Sequence, residues 1–441
     1  MGLTRSLSTG ASSLRAHQLK FDVISNNLAN TNTVAYKSNR ANFAEQFNQI
    51  YTHGKAPAES GAAVAGGKNP MQFGLGVKLG AIQQNMSQGV IETTDRPLDM
   101  AIQGDGFFVY NSNGQEMYSR AGAVSRDRDG YLVDSSSGAY LQGYNVETDA
   151  SGAIQKNQDG LNILSGQVSD LRISSDTISA PRQTESITMK GNLNSGMPQG
   201  NERRTSINVY DANGGMHSLT FVFTRNANQN EFDLAAEIDG NQVALSSDVV
   251  QFNNDGTLNT PLDVTVTAAD LNTAVGNQIF DEGTPKDISI QLGDPDNLVS
   301  GSLTNFSGLN TATASNQDGY QSGELIDISV DPQGKLWGAF TNGQSELLGQ
   351  TVIAKFTNND GLVREGSNFY SASPNSGLAN IGTAGEIFPS TKIAGQSLEM
   401  SNVDMTTQFV DMISTQRAFE AASRTITLSD QLLAETNQLK R

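Results

Sequence analysis

Residues 3–28 carry a seven-residue repeat. Leu7, Leu14, Phe21 and Leu28 form one row; Leu3, Gly10, His17 and Ile24 form a companion row offset by three and four. That spacing puts both rows on one face of an α-helix, ~39 Å long at 1.5 Å per residue. The companion row is weakened by its Gly and His, so the helix needs a partner face and is not a strong dimer by itself. The other end of the chain mirrors it. Met405, Phe409, Met412, Phe419, Ile426 and Leu433 make a stripe across residues 403–438, widened by Val410 and Ile413. "SNVD" at 401–404 offers Ser401 and Asn402 as N-caps with Asp404 in the first turn, and Lys440 and Arg441 suit the negative end of the helix dipole. Two long amphipathic helices at opposite ends can be core helices of one domain, or a pair whose faces are covered mainly by neighbouring subunits.

Between them the period drops to two. "RPLDMAIQGDGFFVY" (96–110) alternates Leu98, Met100 and Ile102, turns at Gly104-Asp105-Gly106 and resumes at Phe107, which predicts a hairpin. "INVYDANGGMHSLTFVFT" (207–224) predicts a second and "LIDISVDPQGKLWGAF" (325–340) a third. Residues 41–75 are small and without period, which predicts an extended linker or arm. The Asn cluster in "ISNNLANTNTVAYKS" (24–38) breaks the first helix just after Leu28 completes its row, with Asn30 and Asn32 able to cap or to adopt left-handed turns.

Composition supports many short strands joined by polar turns: 44 Gly, 11 Pro and 37% hydrophobic residues in 441. The net charge is −18, yet residues 1–40 hold five basic side chains against Asp22 alone, and residues 391–441 are nearly balanced. The negative charge therefore sits in the middle, where copies repel unless specific contacts overcome it. No basic patch points to nucleic acid. Cysteine is absent, which excludes disulfides and thiolate chemistry. No apolar run approaches the ~20 residues that span a bilayer, and residues 1–28 lack the apolar core of a secretory signal. "MGLTRS" fits the loose myristoylation pattern and is read as a chance match.

Site chemistry is thin. His17, His53 and His217 have no second metal ligand nearby in sequence, and His17 falls in the helical seam. "GLGVKLG" (74–80) lacks the spacing of a dinucleotide loop. "SRDRDGYLVD" (125–134) holds Asp127, Asp129 and Asp134 but not the remaining ligands of a calcium loop, so Asp129-Gly130 reads as a hairpin turn. No catalytic, cofactor-binding or metal residue is assigned, and no enzyme activity is expected.

Three stretches together carry a resemblance. "ISNNLANTNTVAYKS" resembles the Asn-rich signature after the first helix of the bacterial flagellar rod and hook axial proteins. "TTDRPLDMAIQGDGFFVY" resembles their first β segment, and "LEMSNVDMTTQFVDMISTQRAFEAASRTITLSDQLL" their C-terminal helix. "GQTVIAKFTNNDGLVREGSNFYSAS" (349–373) is similar to the return strand and loop of the hook members. The likeness covers residues 1–145 and 322–441; in the middle only "GNLNS" (191–195) and "INVYDANGGMHSLTF" match. Rod relatives are much shorter, so the insertion at 146–321 favours a hook subunit. The sequence departs at Ala35, where the family commonly has Gly before the aromatic–Lys pair, Tyr36 and Lys37. If that position takes a positive φ, alanine costs ~1 kcal/mol.

The resemblance implies an α+β multidomain chain: paired, coiled-coil-like terminal helices (1–40 and 396–441), a linker (41–75), a middle β domain (76–145 and 322–395) and an outer β domain (146–321). It implies a structural subunit that polymerises into a curved, flexible tube passing motor torque to the filament. Distal rod or another axial subunit is the alternative, and a secreted glycan-binding β protein the reading outside the class. Axial packing is expected from Leu3, Leu7, Leu14, Phe21, Ile24, Leu28, Met405, Phe409, Met412, Phe419, Ile426 and Leu433. Contacts between subunits at the helix exit are expected from Asn26, Asn27, Asn30, Asn32, Tyr36 and Lys37. Implied partners are further copies, the distal rod protein, the hook cap, the hook–filament junction proteins and the flagellar type III export apparatus. Neither nucleic acid nor membrane insertion is expected. The implied location is the extracellular hook, reached without a cleaved signal.

Overall fold

The first helix, α1, spans Gly2–Ala29 and is ~42 Å long. Its end is built from the Asn cluster. The Asn30 amide group donates to the Asn26 carbonyl at 2.8 Å, the Thr31 hydroxyl to that of Leu28 at 2.8 Å, and the Thr33 hydroxyl to Asn30 Oδ1 at 3.0 Å. Side chains thus satisfy carbonyls that the helix leaves open. The left-handed residue is neither Asn30 nor Asn32. It is Ala35, with φ of 58°. The last helix, α3, spans Met405–Gln438; a short one, α2, spans Ala268–Val275 between them. The cap of α3 also differs from expectation. Asp404 accepts from Thr406 N at 2.9 Å and from the Thr407 hydroxyl at 2.6 Å, whereas Asn402 is spent on other segments.

The computed structural model describes residues 2–56, 67–147, 162–174, 176–228, 230–280, 287–294 and 301–438. The Leu3 side chain, Lys440 and Arg441 lie outside the described residues, as does most of 146–161. The chain divides into two units, one of residues 1–174, 328–337 and 347–441, the other of 175–327 and 338–346. The second therefore begins some thirty residues later than the expected 146. Described residues between these points belong to the first unit: Asn162 donates to the Leu347 carbonyl at 2.7 Å, and Ser169–Asp170 pairs with Tyr140–Asn145.

In the first unit, Phe107–Ser112 is paired antiparallel with Gln115–Ser119, Tyr140–Asn145 and Ile353–Lys355. Phe107, Val109, Tyr118, Val352 and Tyr370 pack into its core. The expected 96–110 hairpin does not form. Met100–Gln103 pairs instead with Lys392–Gly395. The glycines read as its turn serve close approach: a Cβ on Gly104 would stand 2.8 Å from the Ser390 carbonyl, and one on Gly106 2.4 Å from Ile353. The described residues within 41–75, expected as an extended linker or arm, are largely paired strands. Asn39–Glu45 pairs with Val77–Gln84, and Asn48–Thr52 with Met71–Gly74. These ribbons hold by backbone pairing with little burial, so their periodicity is faint. The 325–340 turn is as expected, with Asp331 N donating to Lys335 O at 3.0 Å.

In the second unit the predicted hairpin is present in register, Glu202–Tyr210 against Met216–Arg225, with Tyr210 opposite Met216. Glu231–Ile238 continues the sheet. A second sheet orders Asp263–Val266, Ile288–Gln291 and Ser186–Asn192. Both share one apolar core around Phe221, Phe223, Phe232, Ile187, Ile290 and Leu271 of α2.

Candidate functional site

The two long helices pack against each other, and the seam between them is small and polar. Gly10 is buried, and a Cβ there would lie 2.9 Å from Ile426 Cγ1. Ser6 Oγ meets Ser429 Oγ at 3.0 Å, and Asn27 Nδ2 donates to Gln408 Oε1 at 3.1 Å. The inward row of α3 is thus Gln408, Thr415, Ala422 and Ser429, seven apart, the last three buried. It lies three residues from the expected Met405–Met412–Phe419–Ile426 row. Gly10 leaves room for the Ile426 side chain of that row at one level, and at the other levels the buried positions of α3 are the small ones. Lys20 and Asp411 bridge the helices at 3.7 Å, a partly exposed pair of little energetic weight.

The predicted packing residues divide accordingly. Ile24 is buried; Leu7, Leu14, Phe21, Leu28, Met412, Ile426 and Leu433 are half-buried along the flanks. Met405, Phe409 and Phe419 remain 53%, 48% and 42% exposed, beside Val410 at 63% and Ile413 at 51%. In the single chain these three are about half exposed, so the pairing of α1 and α3 alone does not supply the axial packing expected of them. Phe419 and Phe21 instead line an open groove with His17, Gln18, Thr415, Gln416 and Glu420. His17 sets its ring edge against Phe43 at 5.4 Å, and burial, with Lys20 second, holds its imidazole below the ordinary 6.5.

The exit from α1 is a buried polar knot. Asn27 makes four hydrogen bonds: its amide group donates to Asn39 O at 2.8 Å and to Gln408, while its Oδ1 accepts from Asn39 N at 2.9 Å and the Tyr36 hydroxyl at 3.3 Å. Ala35 N donates to Glu399 O at 2.7 Å, and Ser38 N to Asn402 Oδ1 at 2.8 Å. Asn402 Nδ2 in turn donates to the Asn85 and Ser87 carbonyls at 2.8 and 3.0 Å. Arg364 stacks over Tyr36, its guanidinium carbon 4.9 Å from the ring centre. Asn27, Tyr36 and Lys37 were expected to reach neighbouring subunits. They are buried in their own chain and bonded there, Asn27 pairing the Asn39 backbone groups that the turn off the helix would otherwise leave open. Asn26 and Asn32 are exposed and Asn30 half-buried.

At the centre stands an ion triad. Lys37 Nζ lies 2.5 Å from Glu399 Oε1, and Arg120 Nη1 3.4 Å from Glu399 Oε2; the Lys37 and Glu399 side chains are wholly buried and that of Arg120 almost so. Lys37 Nζ also donates to Ser87 O at 2.8 Å, and Gly89 N donates to Glu399 Oε1 at 2.8 Å. Gly89 must be glycine, since a Cβ would stand 2.1 Å from Met400 O. Burial pushes the Lys37 ammonium below its ordinary 10.5; Glu399 opposes that shift and Arg120 adds to it. Such a triad contributes little net stability, yet losing one partner costs about 3–5 kcal/mol. Sequence reasoning missed Glu399 and Arg120. The available signal was a lone charge among apolar neighbours in "SLEM" and in "YSRAGA". Among the described residues no group of three His, Cys, Asp or Glu converges to hold a metal, and no helix is long and apolar enough to cross a membrane.

Comparisons with known proteins cover the same ground. Residues 7–37 match the family described as flagella basal body rod protein, and 394–439 the flagellar basal body rod FlgEFG protein C-terminal family. Residues 101–192 match the flagellar hook protein FlgE/F/G D1 domain, and 182–320 the flagellar basal body protein FlaE D2 domain. Among full-length relatives, the flagellar hook protein FlgE of Treponema pallidum is 34% identical, with all of both chains covered. That of Escherichia coli is 32% identical, covering 97% of this chain and 98% of its own. That of Borreliella burgdorferi is 30% identical, covering 99% and 100%. The paired terminal helices and the two β units are therefore those of a structural subunit and not of an enzyme, and the chain belongs to the flagellar hook protein family.

Proposed function

We propose that copies of this chain polymerise into the curved, bendable tube of the flagellar hook, which carries motor torque from rod to filament. The observation that carries this reading is the apolar stripe of Met405, Phe409, Val410, Ile413 and Phe419, left open on a helix whose own seam is small and polar. Covering a phenyl side chain completely is worth about 1.5–3 kcal/mol, and among the described residues these side chains stay about half exposed. The terminal helices form the inner wall as a coiled-coil-like layer, with the β units outside it. The match of residues 182–320 to the flagellar basal body protein FlaE D2 domain, and the full-length likeness to hook proteins, favour hook over distal rod. In this reading the tube meets the distal rod protein at one end and the cap and junction proteins at the other. The chain reaches the cell exterior through the flagellar type III apparatus, unfolded and without a cleaved signal. Electron microscopy of concentrated protein tests the proposal: curved tubes are expected. Straight rigid rods would favour the rod reading, and the absence of polymer at any concentration would overturn both.

A further inference from the structure

The segment 392–402 does more than lead into α3. Of the four two-stranded sheets described in the first unit outside its main sheet, two are made with this segment. In one, Ile91–Thr93 pairs with Ser397–Glu399; in the other, Met100–Gln103 pairs with Lys392–Gly395. Among the described residues neither early strand has another strand partner. The same segment binds further early backbone: Ala35 N to Glu399 O, Met400 N to Val90 O at 2.8 Å, and Asn402 to Ser38, Asn85 and Ser87. Charge follows the same division. Lys37 and Arg120 both come from the early chain and are both buried, and the carboxylate that balances them, Glu399, comes from the late segment. Without it, two cations would be buried with no counter-charge, which an apolar interior does not tolerate. The second unit differs: its core sheets draw only on residues between 186 and 317.

We propose that residues 392–402 are a closing latch: residues 85–103 acquire stable structure only together with this late segment, while the second unit folds without waiting for it. Residues 85–103 are thus held open by their pairing, and Glu399 is the group that permits closure. The inference concerns the single chain and stands whether or not copies assemble.

Refolding of the full chain from denaturant, followed by pulsed hydrogen exchange and mass spectrometry, tests it. Peptides over 202–238 are expected to gain protection first, and those over 85–103 and 392–402 to gain it later, at one shared rate. In Glu399→Gln, protection over 85–103 should fall at least about tenfold while that over 202–238 is unchanged. Adding Lys37→Met to Glu399→Gln removes one uncompensated cation and should recover part of the loss. Protection of 85–103 ahead of 392–402 in the unaltered chain overturns the latch. So does a Glu399→Gln chain whose 85–103 protection stays within about twofold of the original. Should the single variant fail to fold its first unit, the order seen in the unaltered chain still decides.

Discussion

The second unit and the helix pair solve opposite problems with the same residue types. In the second unit, Phe221, Phe223 and Phe232 are wholly buried and the strands around them come from one continuous stretch of chain. In the helix pair, serine, threonine, alanine and glycine take the inside, and phenylalanine and methionine are left at the outside. A large apolar side chain is evidence of a core only when something faces it. The second unit holds its own partners, whereas the helices carry half of an interface.

The comparison can be broken most directly at Phe419. Phe419→Asp should abolish polymer, because a carboxylate covered by a neighbour costs several kcal/mol, while the free chain loses at most about 1 kcal/mol at this part-exposed site. Sedimentation together with a denaturant titration separates the two effects; normal polymer would remove the stripe from the interface. Next, Phe221→Ala should destabilise the second unit by about 3–5 kcal/mol, read as lost exchange protection over 202–238, with the helices unchanged. A smaller effect of opposite sign is expected at Ala35. Relief of the left-handed strain, about 1–2 kcal/mol, exceeds the roughly 0.5–1 kcal/mol that a freer unfolded chain costs. Ala35→Gly should therefore raise stability by about 0.5 kcal/mol, seen as a higher denaturant midpoint.

The smallest effect concerns the start of α3. Hydrogen bonds from Thr407 and from the Thr406 amide hold Asp404 below its ordinary 3.8. A carboxylate with a depressed folded-state pKa stabilises above its unfolded value and loses that contribution as pH falls through the folded one. Exchange protection in the first turn of α3 should accordingly drop below pH 3.8 in the original chain. In Asp404→Asn, which caps without titrating, it should not change over that range.

Much of the fold was legible in the sequence where a local rule decides it. The heptad rows located both helices, and the 207–224 hairpin followed from strand alternation around Asn213-Gly214. The Asp129-Gly130 turn came from its residue types; Gly130 takes φ of 87°. What escaped was decided by distant segments. Met100–Gln103 alternates like half of a hairpin, but its partner lies almost three hundred residues further on. Gly10, read as a weak point of the α1 row, is in fact where the Ile426 side chain of α3 comes too close for any Cβ. The ion triad needs Lys37, Arg120 and Glu399 from three separate stretches, and no spacing rule joins them. Ala35 was legible for the opposite reason: one residue departing from a family pattern identified the position with φ of 58°.

The Ala35–Glu399 and Ser38–Asn402 bonds have a mechanical consequence. Both connections between the helices and the β part of the first unit pass through this place, one as residues 35–38 and the other as 399–402. Clamped side by side, they take tension in parallel. A pull along either helix loads the Lys37–Glu399 pair and the neighbouring amide bonds in shear, so that they must give way together and not in succession.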